Sequence, residues 1–301
     1  MTRKILDIIS TGSACPPEHL KKACAYARSK GFLPRTATVF FSDHPLYICH
    51  DEQRFLNLKE ALYSEDSEVI WCLRGGSGTS RLLPNLLSLQ APKKKKNLIG
   101  FSDVTALHFF LTQHWDWKTI HGPTLNSLIN ATGQSDSVTS TLDHLIQKGT
   151  ASVNLSLNPL NKEARLRTAL QGHLVGGNLA LTQRSIGTPW QLETAERILF
   201  FEDVNEFPYR IAETLDHLKH VGLFKKVKAV IFGQFTNDNP EENEEKLLDH
   251  IFSEFAEKAA FPVFSDLAVG HTSNNHPLQL NSPVTLLPKE DLVFLRQTLF
   301  L

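Results

Sequence analysis

A serine stands where an apolar strand pattern gives way to a helical one. Residues 98–105 read LIGFSDVT, which places Ser102 at the turn. A sharp turn of this kind exposes the serine oxygen, and the helix that follows offers free N–H groups to a developing oxyanion. The Gly-x-Ser-x-Gly pattern of a nucleophile elbow is incomplete, because Val104 replaces the second glycine. Spacing alone therefore leaves two interpretations: a nucleophile, or Ser102 or Asp103 acting as a helix cap.

A glycine-rich loop follows the preceding apolar run, Val69–Leu73. Residues 74–78 read RGGSG, and glycines at the carboxyl edge of a sheet permit close approach of a ligand. No Gly-Lys-Ser/Thr follows, and Arg81 replaces the last glycine of the dinucleotide fingerprint. The pattern favours an oxyanion or substrate loop over phosphate binding. Arg74 could hold a substrate carboxylate, or it could brace the loop against an acidic neighbour.

A carboxylate and a histidine in the second half could complete a catalytic set. Glu202 follows the apolar run 198–201, where a carboxylate can orient a histidine and stabilise its charged form. The alternative is chemistry at a helix start, which suits Glu206 and Arg210 better than Glu202. His271 lies in a loop of small residues, and as one of 13 histidines it is by itself more typical of a surface or structural role.

Composition narrows the classes of function. The 301 residues suit two domains, and a net charge near −1 indicates neither a nucleic-acid nor a membrane partner. No segment approaches the roughly 20 apolar residues of a membrane span, and the run 93–96 of four lysines is interpreted as a solvated loop. Four cysteines without a Cys-x-x-Cys pair, and no histidines at ligand spacing, predict a cytoplasmic protein with reduced thiols and no metal.

Alternation of β-branched runs with helical patterns predicts an α/β fold with a parallel sheet. We expect an N-terminal flavodoxin-like or Rossmann-like domain, a smaller C-terminal α/β domain, and the active site at their interface. The polar stretch that follows residue 130 interrupts the alternation, with one short helical piece at 142–147. The predicted divisions are 1–130 for the domain that bears the nucleophile, 131–168 for a linker, and 169–301 for the domain with the glutamate and histidine.

Seven ordered motifs together resemble one family. They are Arg74–Leu83, Gly100–Ala106, Gly122–Leu125, Gly176–Leu179, Ile186–Trp190, Phe201–Arg210 and Val269–His271. The sequence is similar in these segments to the LD-carboxypeptidase family of serine peptidases, which remove the terminal D-alanine from murein tetrapeptides during cell-wall recycling. The motifs extend through most of the chain.

The resemblance implies roles for particular residues. It makes Ser102 the nucleophile, Glu202 the orienting carboxylate and His271 the general base, with an oxyanion hole from the N–H groups of Gly76 and Asp103. It implies hydrolysis of the bond between meso-diaminopimelate and D-alanine in a muropeptide, without metal or cofactor. It also implies a homodimer.

Two departures from the family pattern concern the substrate. Ser77 replaces the family's usual tyrosine beside the oxyanion loop, and Thr124 replaces a methionine. Arg74 and Ser77 are therefore candidate substrate contacts. Two other functions remain open: a self-immunity peptidase that cleaves a peptidyl-nucleotide antibiotic of the microcin C kind, and a non-catalytic two-domain protein that holds a small ligand.

Overall fold

The computed structural model describes residues 4–130, 133–240 and 242–301. The first sheet has six strands in the order β11-β5-β4-β3-β1-β2. Five of them run parallel, and β11 is antiparallel to β5. Their bounds are β1 (Ile5–Ile9), β2 (Leu33–Thr36), β3 (Ser67–Cys72), β4 (Asn97–Gly100), β5 (Thr119–His121) and β11 (Leu278–Leu280).

The second sheet has seven strands in the order β10-β6-β13-β12-β7-β8-β9, and it closes on itself because β10 pairs with both β6 and β9. Strands β7 to β10 are parallel neighbours, and the other pairs are antiparallel. The bounds are β6 (Thr150–Pro159), β7 (Leu170–Asn178), β8 (Arg197–Val204), β9 (Ala229–Thr236), β10 (Val263–Ser265), β12 (Ser282–Lys289) and β13 (Leu292–Phe300).

Helices connect and cover these strands. In chain order they are α1 (Pro17–Ser29), α2 (Asp51–Tyr63), α3 (Leu83–Leu87), α4 (Thr105–His114), α5 (Leu125–Ile129), α6 (Asp136–Lys148), α7 (Leu179–Ser185), α8 (Pro208–His220) and α9 (Glu244–Glu257). Short 3₁₀ turns lie at Thr79–Leu82 and Ser102–Val104. None of the helices in the described ranges has the length and apolar character needed to cross a bilayer.

The first sheet is buried on both faces. Trp71 and Ile99 pack into one apolar cluster, whereas their neighbours Ile70 and Leu98 pack into another on the opposite face. A parallel sheet covered on both sides requires such continuous apolar strands, because successive side chains point to opposite faces. The predicted α/β class, with a parallel sheet in the first half and a second α/β unit after it, is confirmed.

The segment expected to be a linker contains regular structure. Helix α6 extends the predicted helical piece, and β6 pairs with β13 along most of its length. In β6, buried Ala151, Val153, Leu155 and Leu157 alternate with exposed polar residues. Because most residues of the segment are polar, the alternation of apolar and polar residues that is typical of a strand was not recognised from the sequence. Residues 131–132 of the predicted linker lie outside the described ranges, and the proposed domain boundaries remain a prediction.

The four-lysine run is solvated only in part, and the interpretation is wrong for Lys96. Its side chain is fully buried, and its ammonium donates to Ala61 O at 2.6 Å and Ser67 Oγ at 2.8 Å. The carboxylate of Asp7 lies 3.6 Å away. Burial lowers the pKa of Lys96 to about 8. A buried ammonium is tolerated here because oxygen acceptors surround it.

Candidate active site

Ser102 occupies a strained turn between β4 and α4. Its φ is +64°, a left-handed conformation that is uncommon outside glycine. A side chain at Gly100 would crowd this turn, since an added Cβ would lie 3.0 Å from Val104 Cγ1 and 3.1 Å from Cys72 Cβ. The turn expected of a nucleophile elbow is therefore present, and Val104 fills the space over Gly100.

The glycine-rich loop after β3 lies directly against Ser102. A Cβ added at Gly75 would lie 2.9 Å from Ser102 Cβ and 3.1 Å from its Oγ. Gly76, with φ of +100°, has an N–H for which the described residues provide no acceptor. The neighbouring Ser77 N–H donates to Ser13 Oγ at 3.0 Å, and Ser77 itself is exposed. The loop thus lies against Ser102 through Gly75, and the next residue, Gly76, has an N–H without a partner among the described residues.

The Asp103 side chain ties the serine turn to the same loop. Its Oδ2 accepts from Thr79 N–H at 2.9 Å and from Thr79 Oγ1 at 2.7 Å. Burial raises the pKa of Asp103, although these hydrogen bonds favour its charged form. The Asp103 side chain therefore points away from solvent and fixes the position of its own backbone N–H.

Glu202 and His271 are joined by a hydrogen bond. His271 Nδ1 donates to Glu202 Oε2 at 2.7 Å, and the Glu202 side chain is fully buried near the end of β8. Gly270, with φ of +144°, permits this approach, because an added Cβ would lie 2.9 Å from Gln234 O and 3.3 Å from Glu202 Cβ. Burial alone would lower the pKa of His271, but the Glu202 carboxylate holds it above its ordinary value.

The imidazole of His271 lies over the residue that precedes Ser102. The ring centroids of His271 and Phe101 are 4.7 Å apart. Within the described chain, Ser102 Oγ makes no hydrogen bond to His271. The structure therefore brings all three predicted residues to one place, with the carboxylate–histidine contact formed and the serine–histidine contact not formed.

A second set of buried polar groups docks the two sheets beside the site. Asn178 N–H donates to Thr105 Oγ1 at 3.2 Å, and Asn178 Nδ2 donates to Asp203 Oδ1 at 2.8 Å. Asp203 Oδ2 also accepts from Ala180 N–H at 2.9 Å, at the start of α7. Burial raises the pKa of Asp203 to about 6, with the adjacent Glu202 charge as a smaller cause. Sequence reasoning considered Asp203 only as a possible helix cap and did not predict this contact, although Thr105, Asn178 and Asp203 lie in three of its motifs.

Two histidines are buried beneath the serine turn. His108 Nε2 donates to Gly100 O at 2.9 Å, and its Nδ1 has no partner in the described chain. Neither ring nitrogen of His121 has a partner there. Burial lowers the pKa of His108 to about 4 and that of His121 well below its ordinary value. Both imidazoles are therefore neutral near pH 7.

Arg74 contacts a backbone oxygen. Its guanidinium donates to Ala14 O, a carbonyl of the loop after β1. Arg74 thus braces the loop, as considered from the sequence, but its partner is a carbonyl and not an acidic side chain. A guanidinium has five N–H donors, so a substrate carboxylate could be bound by those that remain. Over the described ranges, no cluster of three or more His, Cys, Asp or Glu side chains has a geometry suited to a metal ion.

Profiles of known domains match both halves of the chain. The LD-carboxypeptidase N-terminal domain matches residues 6–122, and the LD-carboxypeptidase C-terminal domain matches residues 171–286. The chain belongs to the LD-carboxypeptidase family. One relative, from Rickettsia conorii, is provisionally named a carboxypeptidase. It is 40% identical to this chain over 250 residues, which are 82% of this chain and 76% of the relative.

Two further relatives of this LD-carboxypeptidase family member have more specific names. The murein tetrapeptide carboxypeptidase of Pseudomonas aeruginosa is 32% identical over 231 residues, or 74% of each chain. The crystal structure of muramoyltetrapeptide carboxypeptidase from Oxalobacter formigenes superposes with a TM-score of 0.82 at 25% identity, covering 97% of this chain and 98% of that one. These relatives support a peptidase hydrolase that acts on a peptide substrate.

Proposed function

We propose that this protein is a serine peptidase that hydrolyses the bond between meso-diaminopimelate and D-alanine in murein tetrapeptides, in cytoplasmic cell-wall recycling. The observation that carries the proposal is the buried Glu202–His271 hydrogen bond beside a serine held at positive φ. A carboxylate that fixes the histidine tautomer, next to a serine on a strained turn, is the arrangement of a nucleophilic triad. The names of the murein relatives support the substrate.

In the proposed reaction, Ser102 Oγ attacks the carbonyl carbon of the scissile amide while His271 Nε2 takes the hydroxyl proton. Glu202 accepts a hydrogen bond from Nδ1–H and stabilises the imidazolium that forms. The C–N bond then breaks, and His271 returns the proton to the departing D-alanine nitrogen. Water, deprotonated by His271, then attacks the acyl-enzyme ester. The C–O bond to Ser102 breaks, His271 returns the proton to Ser102 Oγ, and the tripeptide is released.

Backbone donors would stabilise the tetrahedral intermediate. The proposed donors are the N–H groups of Gly76 and Asp103, and removal of one such donor typically lowers kcat by about 10²- to 10³-fold. Arg74 and the exposed Ser77 lie on the same loop, where they could contact the terminal carboxylate of the substrate. The raised pKa of His271 sets the pH below which the rate falls, because only the neutral imidazole accepts the serine proton.

The test is mass spectrometry of L-Ala-γ-D-Glu-meso-diaminopimelate-D-Ala incubated with the purified protein. We expect the wild type to release D-alanine and Ser102→Ala to leave the tetrapeptide intact. Ser88→Ala is the matched control, because Ser88 is exposed and its hydroxyl donates to the local carbonyl of Asn85. Release of D-alanine by Ser102→Ala at the wild-type rate would exclude the proposed nucleophile. An intact tetrapeptide with every variant would exclude this substrate, and a peptidyl-nucleotide would then be tried.

A further inference from the structure

An arginine outside the proposed triad lies completely buried beneath the glycine-rich loop. Arg54 is on the first turns of α2, and its exposed fraction is 0%. One terminal nitrogen donates to two backbone oxygens, Gly78 O at 3.1 Å and Thr11 O. The other donates to Asp51. A charged side chain is rarely buried to this extent unless its hydrogen bonds are needed.

The two carbonyls that Arg54 holds belong to the loops around Ser102. Gly78 ends the segment that carries the Gly76 N–H, and its φ of +115° turns its carbonyl toward α2. Thr11 follows β1, and its hydroxyl is 2.7 Å from that of Thr79. Thr79 in turn donates to Asp103, the residue that carries the second proposed oxyanion donor.

The guanidinium is itself held in one orientation. Its carbon lies 4.3 Å from the centre of the Tyr47 ring, which fills the space beside Gly78 where a side chain would clash. Asp51 accepts hydrogen bonds from Arg54 and also from Arg81, so the guanidinium of Arg54 cannot rotate freely. A planar guanidinium fixed in this way can hold two carbonyls at set positions, which a lysine ammonium does less well.

We propose that Arg54 is a positioning residue of the oxyanion hole, because it holds the loop with the Gly76 N–H against the turn with Ser102. This role rests on the serine-peptidase function proposed above. Arg54 touches neither the serine nor any reacting atom, and it acts through the backbone of Thr11 and Gly78. Loss of its hydrogen bonds should displace a donor that matters in the transition state more than in substrate binding.

The kinetic test compares Arg54→Ala, Arg54→Lys and Arg35→Ala in D-alanine release. Arg35 is the matched control, because it pairs with Asp7 and Asp66 at the edge strand β2, and its hydrogen bonds within the described ranges do not involve residues 74–79. We expect Arg54→Ala to lower kcat by about 10²-fold with KM changed by less than about threefold. Millimolar guanidinium should partly restore kcat in Arg54→Ala but not in Arg35→Ala. Arg54→Lys should fall between the wild type and Arg54→Ala, and it carries the test if the alanine variant does not fold.

A second measurement needs no substrate. Hydrogen–deuterium exchange should accelerate in segment 74–79 of either Arg54 variant and stay at the wild-type rate in Arg35→Ala. Wild-type exchange in this segment for both Arg54 variants would overturn the inference, as would a kcat within threefold of the wild type. If the wild type releases no D-alanine, the proposed function fails, and the exchange experiment still decides whether Arg54 holds the loop.

Discussion

Acid should destabilise this fold through His108, a fully buried imidazole beneath the serine turn. Its pKa is lowered from the ordinary 6.5 to about 4 by burial, while Nε2 donates to Gly100 O. As the pH falls from 6.5 toward 4, the unfolded chain takes up a proton at this residue and the folded chain does not. The stability that the neutral His108 provides is therefore present near pH 7 and is lost on acidification.

The size of the effect follows from linkage. Between pH 7 and pH 5, a histidine that stays neutral only in the folded state lowers the free energy of unfolding by about 2 kcal/mol. His121 acts in the same direction, because its pKa is also lowered by burial. Asp203 acts in the opposite direction, since its pKa is raised to about 6 and its protonation in the folded state favours folding at low pH. The contribution of His108 must therefore be isolated by a difference between proteins.

The assay is urea unfolding of the wild type and His108→Gln at several pH values between 5 and 7.5. Glutamine retains a donor for Gly100 O but has no proton to gain. The difference in unfolding free energy between the two proteins should shift by about 2 kcal/mol in favour of the variant as the pH falls from 7 to 5. His250→Gln is the control, because His250 is exposed on α9. A difference for His108→Gln that stays constant within about 0.5 kcal/mol would refute the assignment of a neutral, acid-labile His108.

Two further outcomes can be measured. Gly177→Ala should lower the free energy of unfolding by about 1–3 kcal/mol, since Gly177 has φ of +137° and an added Cβ would lie 2.8 Å from Thr105 Oγ1. Thermal denaturation should show a smaller loss of stability for Gly187→Ala, where φ is +77° but no atom lies within 4 Å of the added Cβ. Equal losses for the two variants would argue against the contact between Gly177 and Thr105. Glu202→Gln should lower kcat for D-alanine release by about 10²- to 10⁴-fold. It should also move the acid limb of the pH–rate profile to lower pH, because the carboxylate that raises the pKa of His271 is gone. An acid limb that does not move would show that His271 is not the base whose protonation limits the rate.

The residues of the candidate triad could be predicted because each depends on a local pattern. Ser102 and Glu202 lie at or near the carboxyl ends of strands, and His271 lies in a loop that a glycine lets fold inward. Strand prediction places each of these two side chains at a carboxyl end, but β4 and β8 belong to different sheets, so it does not by itself bring them near one another. The resemblance to a family then selected these residues from the alternatives.

The groups that support the site could not be predicted, since their roles depend on tertiary burial. Arg54 and Lys96 have charged side chains of a kind usually found at the surface, yet both are buried among backbone and side-chain oxygen acceptors. Thr105 and Asn178 are 73 positions apart and meet only when the two sheets dock. Strand β6 was missed for a different reason, because its apolar residues alternate within a polar stretch.

The position of β11 in the sequence decides when the first sheet can be completed during synthesis. Leu278–Leu280 pairs with Thr119–His121, so one edge strand of the first sheet comes from a segment much later in the sequence. Until residues 278–280 have been synthesised, the edge of β5 that β11 covers is unpaired. Such an edge invites pairing with other chains. The sheet that bears Ser102 thus gains β11 only after His271 and residues 278–280 have been added to the growing chain.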